Sequence, residues 1–190
     1  MRTENLQKII ALRHLLHQHP ELSGQEKETI RILKSFIQEN TSLQIVDRDG
    51  WFYVVKEGKA EKPPIAFRAD MDALPMRDDP SLPYASLQDG TAHKCGHDGH
   101  MAALCGLALE LDRQQTDQTL YLIFQPAEEI GAGAVRCKEL IREKQIGEIY
   151  AFHNLSGYPE NSLVYRRGLT QPASEGLTIC FQGKALSVLR

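Results

Sequence analysis

Ile65-Ala66-Phe67-Arg68-Ala69-Asp70-Met71-Asp72 decides how this chain is read: a short apolar run that closes on two carboxylates. The same arrangement recurs twice downstream. Thr119–Phe124 is a second apolar run and closes on Gln125-Pro126-Ala127-Glu128-Glu129. Gly147–Phe152 is a third and closes on His153-Asn154. Apolar runs this short, bounded by polar or proline-containing segments, predict strands. Between them lie residues 98–113, with Met101, Leu104, Leu107, Ala108 and Leu111 at helical spacing, and a further helical segment over 133–144. Strands alternating with helices predict an α/β fold, a mostly parallel sheet flanked by helices.

Upstream, residues 4–18 carry Leu6, Ile9, Ile10, Leu12, Leu15 and Leu16 at the three-to-four spacing of an amphipathic helix, which Pro20 ends. Ser23-Gly24-Gln25-Glu26 reads as a capping box for a second helix with Ile30, Leu33 and Ile37 on its buried face, ending near Asn40. Residues 43–57 read as two strands around the turn signal Asp49-Gly50. The Pro-rich, polar residues 74–94 predict a long surface loop. The first two helices, the hairpin and the 133–144 helix read as scaffold, with no chemistry assigned to them.

The chain has 190 residues, 25 acidic and 22 basic, with a formal net charge of -3. One domain of roughly 100–200 residues and the start of another fit that length. With no basic excess to hold a phosphate backbone, nucleic acid is not an expected partner. No apolar run approaches the ~18 residues of a membrane helix. The opening MRTENLQ leads into the amphipathic pattern rather than a signal peptide, so a cytoplasmic protein without membrane attachment is expected. In that setting the four cysteines are expected as thiols or ligands rather than disulfides. Cys105, Cys137 and Cys180 read as small buried hydrophobes. Cys95 stands apart.

Ligands of open α/β sheets bind at the carboxyl ends of the strands. Asp70 and Asp72, Glu128 and Glu129, and His153 should therefore converge at one edge. Cys95-Gly96-His97-Asp98-Gly99-His100 opens the helix after the long loop, and helix starts sit at that same edge. Each group has an ordinary role when taken singly. An Asp after a strand caps a turn, paired glutamates open a helix, and a lone His is a hydrogen-bonded residue. Thiolate, imidazole and carboxylate meeting in one place are what a transition-metal site requires. A closed structural zinc site would show paired Cys and His ligands, so carboxylates on separate strand ends point to an open, catalytic site. Of two adjacent glutamates, one can ligate a metal while its neighbour takes a proton from water that the metal acidifies. That is hydrolysis of a carbonyl compound, an amide or peptide bond being the natural target. A cysteine hydrolase with Cys95 as nucleophile and His100 or His153 as base is the alternative, and it leaves the glutamate pair unexplained.

The chain resembles the M20 metallopeptidase and amidohydrolase family, in its branch of N-acyl-amino-acid amidohydrolases, hippurate hydrolases and auxin-conjugate hydrolases. The matching segments are Arg13 with His17-Gln18-His19-Pro20-Glu21-Leu22, Arg68 to Pro75, His93 to His100, Gln125 to Glu129 and Phe152-His153-Asn154. The resemblance implies a zinc-exopeptidase-like catalytic domain with two divalent metal ions, zinc or manganese, with cobalt a further option. It implies Cys95, His97, Glu129 and His153 as ligands and Glu128 as general base. Asp72, Asp98 and His100 would stand behind the ligands or on the substrate side. The implied substrates are N-acyl amino acids such as N-acetyl amino acids.

Members of the family are about twice as long, with a lid, often dimerising, inserted into the catalytic domain. Residues 1–172 are thus expected to form the N-terminal part of the catalytic domain. Residues 173–190 would begin a truncated α+β lid, 174–184 resembling its first strand. The histidine that the family shows shortly after Gly183-Lys184 is absent, Ser187 standing near its place, and so is the family's last ligand, a distant C-terminal histidine. A truncated, weakly active or inactive form is expected on this reading. Its unclosed sheet would leave strand edges and apolar surface open to self-association, or to a partner chain that an inactive metal-binding fragment would need.

Overall fold

A computed structural model describes residues 2–60, 62–169, 179–180 and 183. The chain divides into two units, Met1–Asn154 and Leu155–Arg190. In the second unit every described residue is exposed. The expected lid strand at 174–184 lies outside the described residues, apart from Ile179, Cys180 and Gly183.

The first unit runs α1 (Thr3–Gln18), α2 (Lys27–Asn40), β1 (Gln44–Arg48), β2 (Trp51–Lys56), β3 (Ile65–Asp70), α3 (His97–Asp112), β4 (Leu120–Gln125), α4 (Gly133–Glu143) and β5 (Glu148–Ala151). The helices and strands expected from periodicity are all present, their ends shifted by a few residues at most. The five strands form one sheet in the order β1-β2-β4-β3-β5. As expected, β3, β4 and β5 are parallel, Ile65 lying opposite both Leu120 and Glu148. The β1–β2 hairpin joins antiparallel, turning at Gly50, and β2 also pairs antiparallel with β4, so the sheet is mixed.

β4 reads LYLIFQ and is buried from Tyr121 to Gln125, as a central strand covered on both faces must be. Phe124 stacks on Phe52 of β2 with centroids 4.5 Å apart. Leu16, Leu33, Ile37, Met101 and Leu140 complete the core from the four helices. β5 is the opposite case, an edge strand exposed along its whole length. Among the described residues no helix is long and apolar enough to cross a membrane.

Two expectations need correction. The capping box does not form. Ser23 Oγ leaves its local backbone and donates to Asp72 Oδ2 at 2.6 Å, and Glu26 is buried against another element. The first turn of α2 is held instead by Glu21, whose Oε2 accepts the Thr29 N–H at 2.8 Å and its hydroxyl at 2.9 Å. A buried partner across the fold competes with the local cap and wins, because an unpaired buried carboxylate is costly and Glu21 already serves the helix end. The second concerns cysteine. Cys105 and Cys137 are buried, but Cys180 is exposed, in the unit where no described residue is covered.

Candidate metal centre

Because β3, β4 and β5 run in parallel, their carboxyl ends open on one edge, with Asp70 and Gln125 in register. Asp72 lies two residues beyond β3, Glu128 and Glu129 lie in the turn after β4, and His153 lies two residues beyond β5. Gly96 brings in the fourth group. Its φ of +88° starts α3 directly after Cys95, and a Cβ there would stand 2.5 Å from Asn154 Oδ1. Only glycine lets the Cys95 turn approach the end of β5 this closely.

Cys95, His97 and Glu129 each present a ligand atom within 4.8 Å of the others, and Asp70, His97, His100 and His153 form an overlapping group on the same criterion. Cys95 Sγ lies 3.4 Å from His153 Nε2. His97 is fully buried and stands where the two groups meet. Its Nε2 is 3.6 Å from Asp70, 3.7 Å from Glu129 and 3.9 Å from Glu128, yet makes no hydrogen bond. Its Nδ1 lies 2.8 Å from the Asp72 carbonyl oxygen, which can only accept, so Nδ1 carries the proton and the Nε2 lone pair faces the cluster.

His100 differs. Its Nδ1 donates to Asp70 Oδ1 at 2.7 Å and its Nε2 meets Asn154 Oδ1 at 2.6 Å, so both nitrogens are already occupied. Asp70 is further held by Arg68, 2.8 Å from its other oxygen. Asp72 Oδ2 accepts from Ser23 and, at 2.9 Å, from the Glu129 N–H, which ties β3 to the glutamate turn. Asp98 is not brought into the cluster. Its Oδ2 pairs with His17 at 2.9 Å and with Arg13 at 3.2 Å, joining α1 to α3.

Burial works against the charge of Asp72, but the adjacent His97 ring and hydrogen bonds from Ser23 and the Glu129 amide outweigh it and hold the carboxyl well below the usual range. Asp70 is also lowered, burial being outweighed by His100 and by the Arg68 guanidinium. His97 is raised: the Asp72 and Asp70 carboxylates outweigh its desolvation. Burial and the neighbouring Glu129 push the Cys95 thiol up to about 12.

A buried imidazole nitrogen with no partner, ringed by carboxylates and a thiol, is costly to a protein unless a cation sits among them. The donor set fits a divalent transition metal. Sequence reasoning located Cys95, His97, Glu128, Glu129 and His153, with Asp72 and His100 behind them, quoted Asn154 without giving it a role, and read Ser23 and Glu26 only as a helix cap, although both hold the cluster from behind. A serine and a glutamate before a helix signal a cap, and nothing local in the sequence distinguishes that from a long-range contact.

The pattern of peptidase family M20/M25/M40 matches residues 66–169. N-acetylcysteine deacetylase of Bacillus subtilis is 37% identical over 183 residues, which cover 93% of this chain and 48% of that protein. N-acetyldiaminopimelate deacetylase of Shouchella clausii is 37% identical over 183 residues, with the same coverage of 93% and 48%. Among solved structures, the Bacillus subtilis YXEP protein, a dinuclear metal binding peptidase of family M20, superposes with a TM-score of 0.78 at 37% identity, covering 84% of this chain and 45% of that one. The chain spans about half the length of the curated relatives it matches.

Proposed function

The chain belongs to peptidase family M20/M25/M40, and on that premise we propose that its strand-end cluster is the centre of a metal-dependent amidohydrolase. The reaction is hydrolysis of the amide bond of an N-acyl amino acid, releasing a carboxylate and a free amino acid. The observation that carries this reading is the buried, unpartnered Nε2 of His97, facing Asp70, Glu128 and Glu129. The substrate class is supported by the two deacetylases, both named for N-acetylated amino acids.

Cys95, His97, Glu129 and His153 would hold two divalent ions, zinc or manganese. A bound ion supplies a Lewis acid that polarises the scissile carbonyl and acidifies water at the site. The remaining work falls to the protein. Asp72 orients His97 through its carbonyl and the Glu129 backbone through its carboxylate. Glu128, whose side chain is 38% exposed against 23% for Glu129, faces the open side and is placed to take a proton from water and pass it to the leaving nitrogen. His100, with both nitrogens engaged, orients Asp70 and Asn154. The Cys95 nucleophile reading loses support, because it leaves the glutamate pair unexplained and, without a bound ion, burial and Glu129 push that thiol up.

A second reading, a metal-binding piece that works only with a complementary chain, is favoured by the exposed β5 edge. Metal content after reconstitution with zinc or manganese tests the site itself. One or two ions per chain, lost in Cys95→Ser and Glu129→Ala, are expected; no uptake by the parent chain refutes the metal centre. Turnover of N-acetyl amino acids by the loaded chain alone then separates the two readings.

A further inference from the structure

Glu26 precedes α2 and has no part in the ligand set, yet it is a carboxylate only 3% exposed. Its Oε1 accepts the Ala127 N–H at 2.7 Å, across 101 residues of sequence. Ala127 immediately precedes the Glu128-Glu129 pair. Its φ is +49°, left-handed space that a residue with a Cβ enters only at a cost. Such a conformation persists only where its surroundings over-determine it.

The surroundings here are complete on both sides. The Ala127 carbonyl accepts from Ala132 N at 3.1 Å and Gly133 N at 3.0 Å, so the start of α4 holds one end of the peptide. A Cβ on Gly133 would come within 1.5 Å of the Pro126 oxygen, which shows how closely α4 lies against this turn. Glu26 holds the other end. A chain leaving β4 in extended conformation would carry the glutamates onward from the sheet edge. The reversal at Ala127 returns Glu129 to Cys95 and His97 and lets its amide reach Asp72. A hydrogen bond to a carboxylate is roughly twice as strong as one between neutral groups, and a buried carboxylate left without it would be heavily penalised.

We propose that Glu26 is the positioning residue of the Glu128–Glu129 pair, its buried carboxylate clamping the left-handed Ala127 turn from which both side chains are presented. The role of those glutamates rests on the metal-hydrolase reading; the clamp does not.

The test uses the full chain with Glu26→Gln, which keeps an acceptor oxygen, and Glu26→Leu, which removes it. Amide hydrogen exchange at Ala127, followed by NMR without metal, should be at least about tenfold faster in Glu26→Leu and near the parent rate in Glu26→Gln. Cobalt(II) titration, followed through the thiolate absorption of Cys95, should show affinity weakened about 10–100-fold in Glu26→Leu and restored in Glu26→Gln. Unchanged Ala127 exchange in Glu26→Leu overturns the proposal, and so does faster exchange with unchanged cobalt affinity. If Glu26→Leu does not fold, Glu26→Asp, one methylene shorter, takes its place with the same expected losses. A parent chain that binds no cobalt refutes the metal reading, while the exchange rates still decide whether Glu26 clamps the turn.

Discussion

The Nδ1–H of His97 donates to the main-chain carbonyl of Asp72 at 2.8 Å, and this one bond determines which ring nitrogen the cluster meets. Asp72 also places Oδ1 3.5 Å from that nitrogen while Oδ2 accepts from Ser23 and Glu129. One aspartate thus orients an imidazole, a serine and the glutamate turn. Asp72→Asn should weaken binding of zinc or manganese by about 10–100-fold without abolishing it, the usual effect of losing a group behind the ligands. Isothermal titration of the metal-free chain measures this, and equal affinity in the variant would contradict it.

Asp78 anchors the long loop before α3. Its Oδ2 meets His17 Nε2 at 3.1 Å and accepts the Ser86 N–H at 2.8 Å, and its other oxygen pairs with Lys94. Burial opposes its charge, but Lys94 and the Ser86 amide outweigh that and hold the carboxyl well below the usual range. A depressed carboxyl stabilises the fold fully above the unfolded value, about pH 4, and loses that contribution as pH falls through the lower folded value. Asp78→Asn should therefore cost on the order of 1–3 kcal/mol near neutral pH. The difference from the parent should shrink as the pH is lowered below about 4. Urea denaturation across that range reads both effects.

Gly133 opens α4 against the Pro126 carbonyl, and a Cβ would stand 1.5 Å from that oxygen. That oxygen belongs to the backbone and cannot swing away. Gly133→Ala should destabilise the chain by about 3 kcal/mol or more. Gly131→Ala is a control, since its φ of +67° brings strain but no atom lies within 4 Å of its Cβ. Its loss should stay near 1–2 kcal/mol. Comparable urea midpoints for the two variants would refute the steric account.

Thiol reactivity separates the cysteines. Burial and Glu129 push Cys95 up to about 12, and burial alone pushes fully buried Cys105 upward, whereas Cys180 is exposed. Near neutral pH, iodoacetamide should modify Cys180 first, with Cys95 following at least about tenfold more slowly, because the thiolate is the reacting form. Peptide mapping over a time course checks the order. Cys95 reacting as fast as Cys180 would revive the cysteine-nucleophile reading.

The elements were legible because their signals are local. The runs that become β3, β4 and β5 are short, apolar and bounded, and the spacing of Met101, Leu104, Ala108 and Leu111 belongs to one helix face. The ligand-type residues were legible because each follows a strand or opens a helix, places that an α/β topology brings to one edge. Ser23 and Glu26 were misread for a matching reason. Their side chains answer partners 49 and 101 residues away, and no pattern within a few residues encodes such a partner.

The amino-acid sequence by itself determined the order of helices and strands, the parallel arrangement of β3, β4 and β5, and the thiol, imidazole and carboxylate groups gathered at their ends. These follow from periodicity and connection rules, which act over a few residues or on whole elements. Only the tertiary structure decided that His97 offers Nε2, that His100 is occupied on both nitrogens, that Asp98 turns away to His17, and that Glu26 reaches Ala127. Each of those outcomes is a competition between buried hydrogen-bond partners. Such a competition is settled only when distant segments are brought within about 3 Å and left without water.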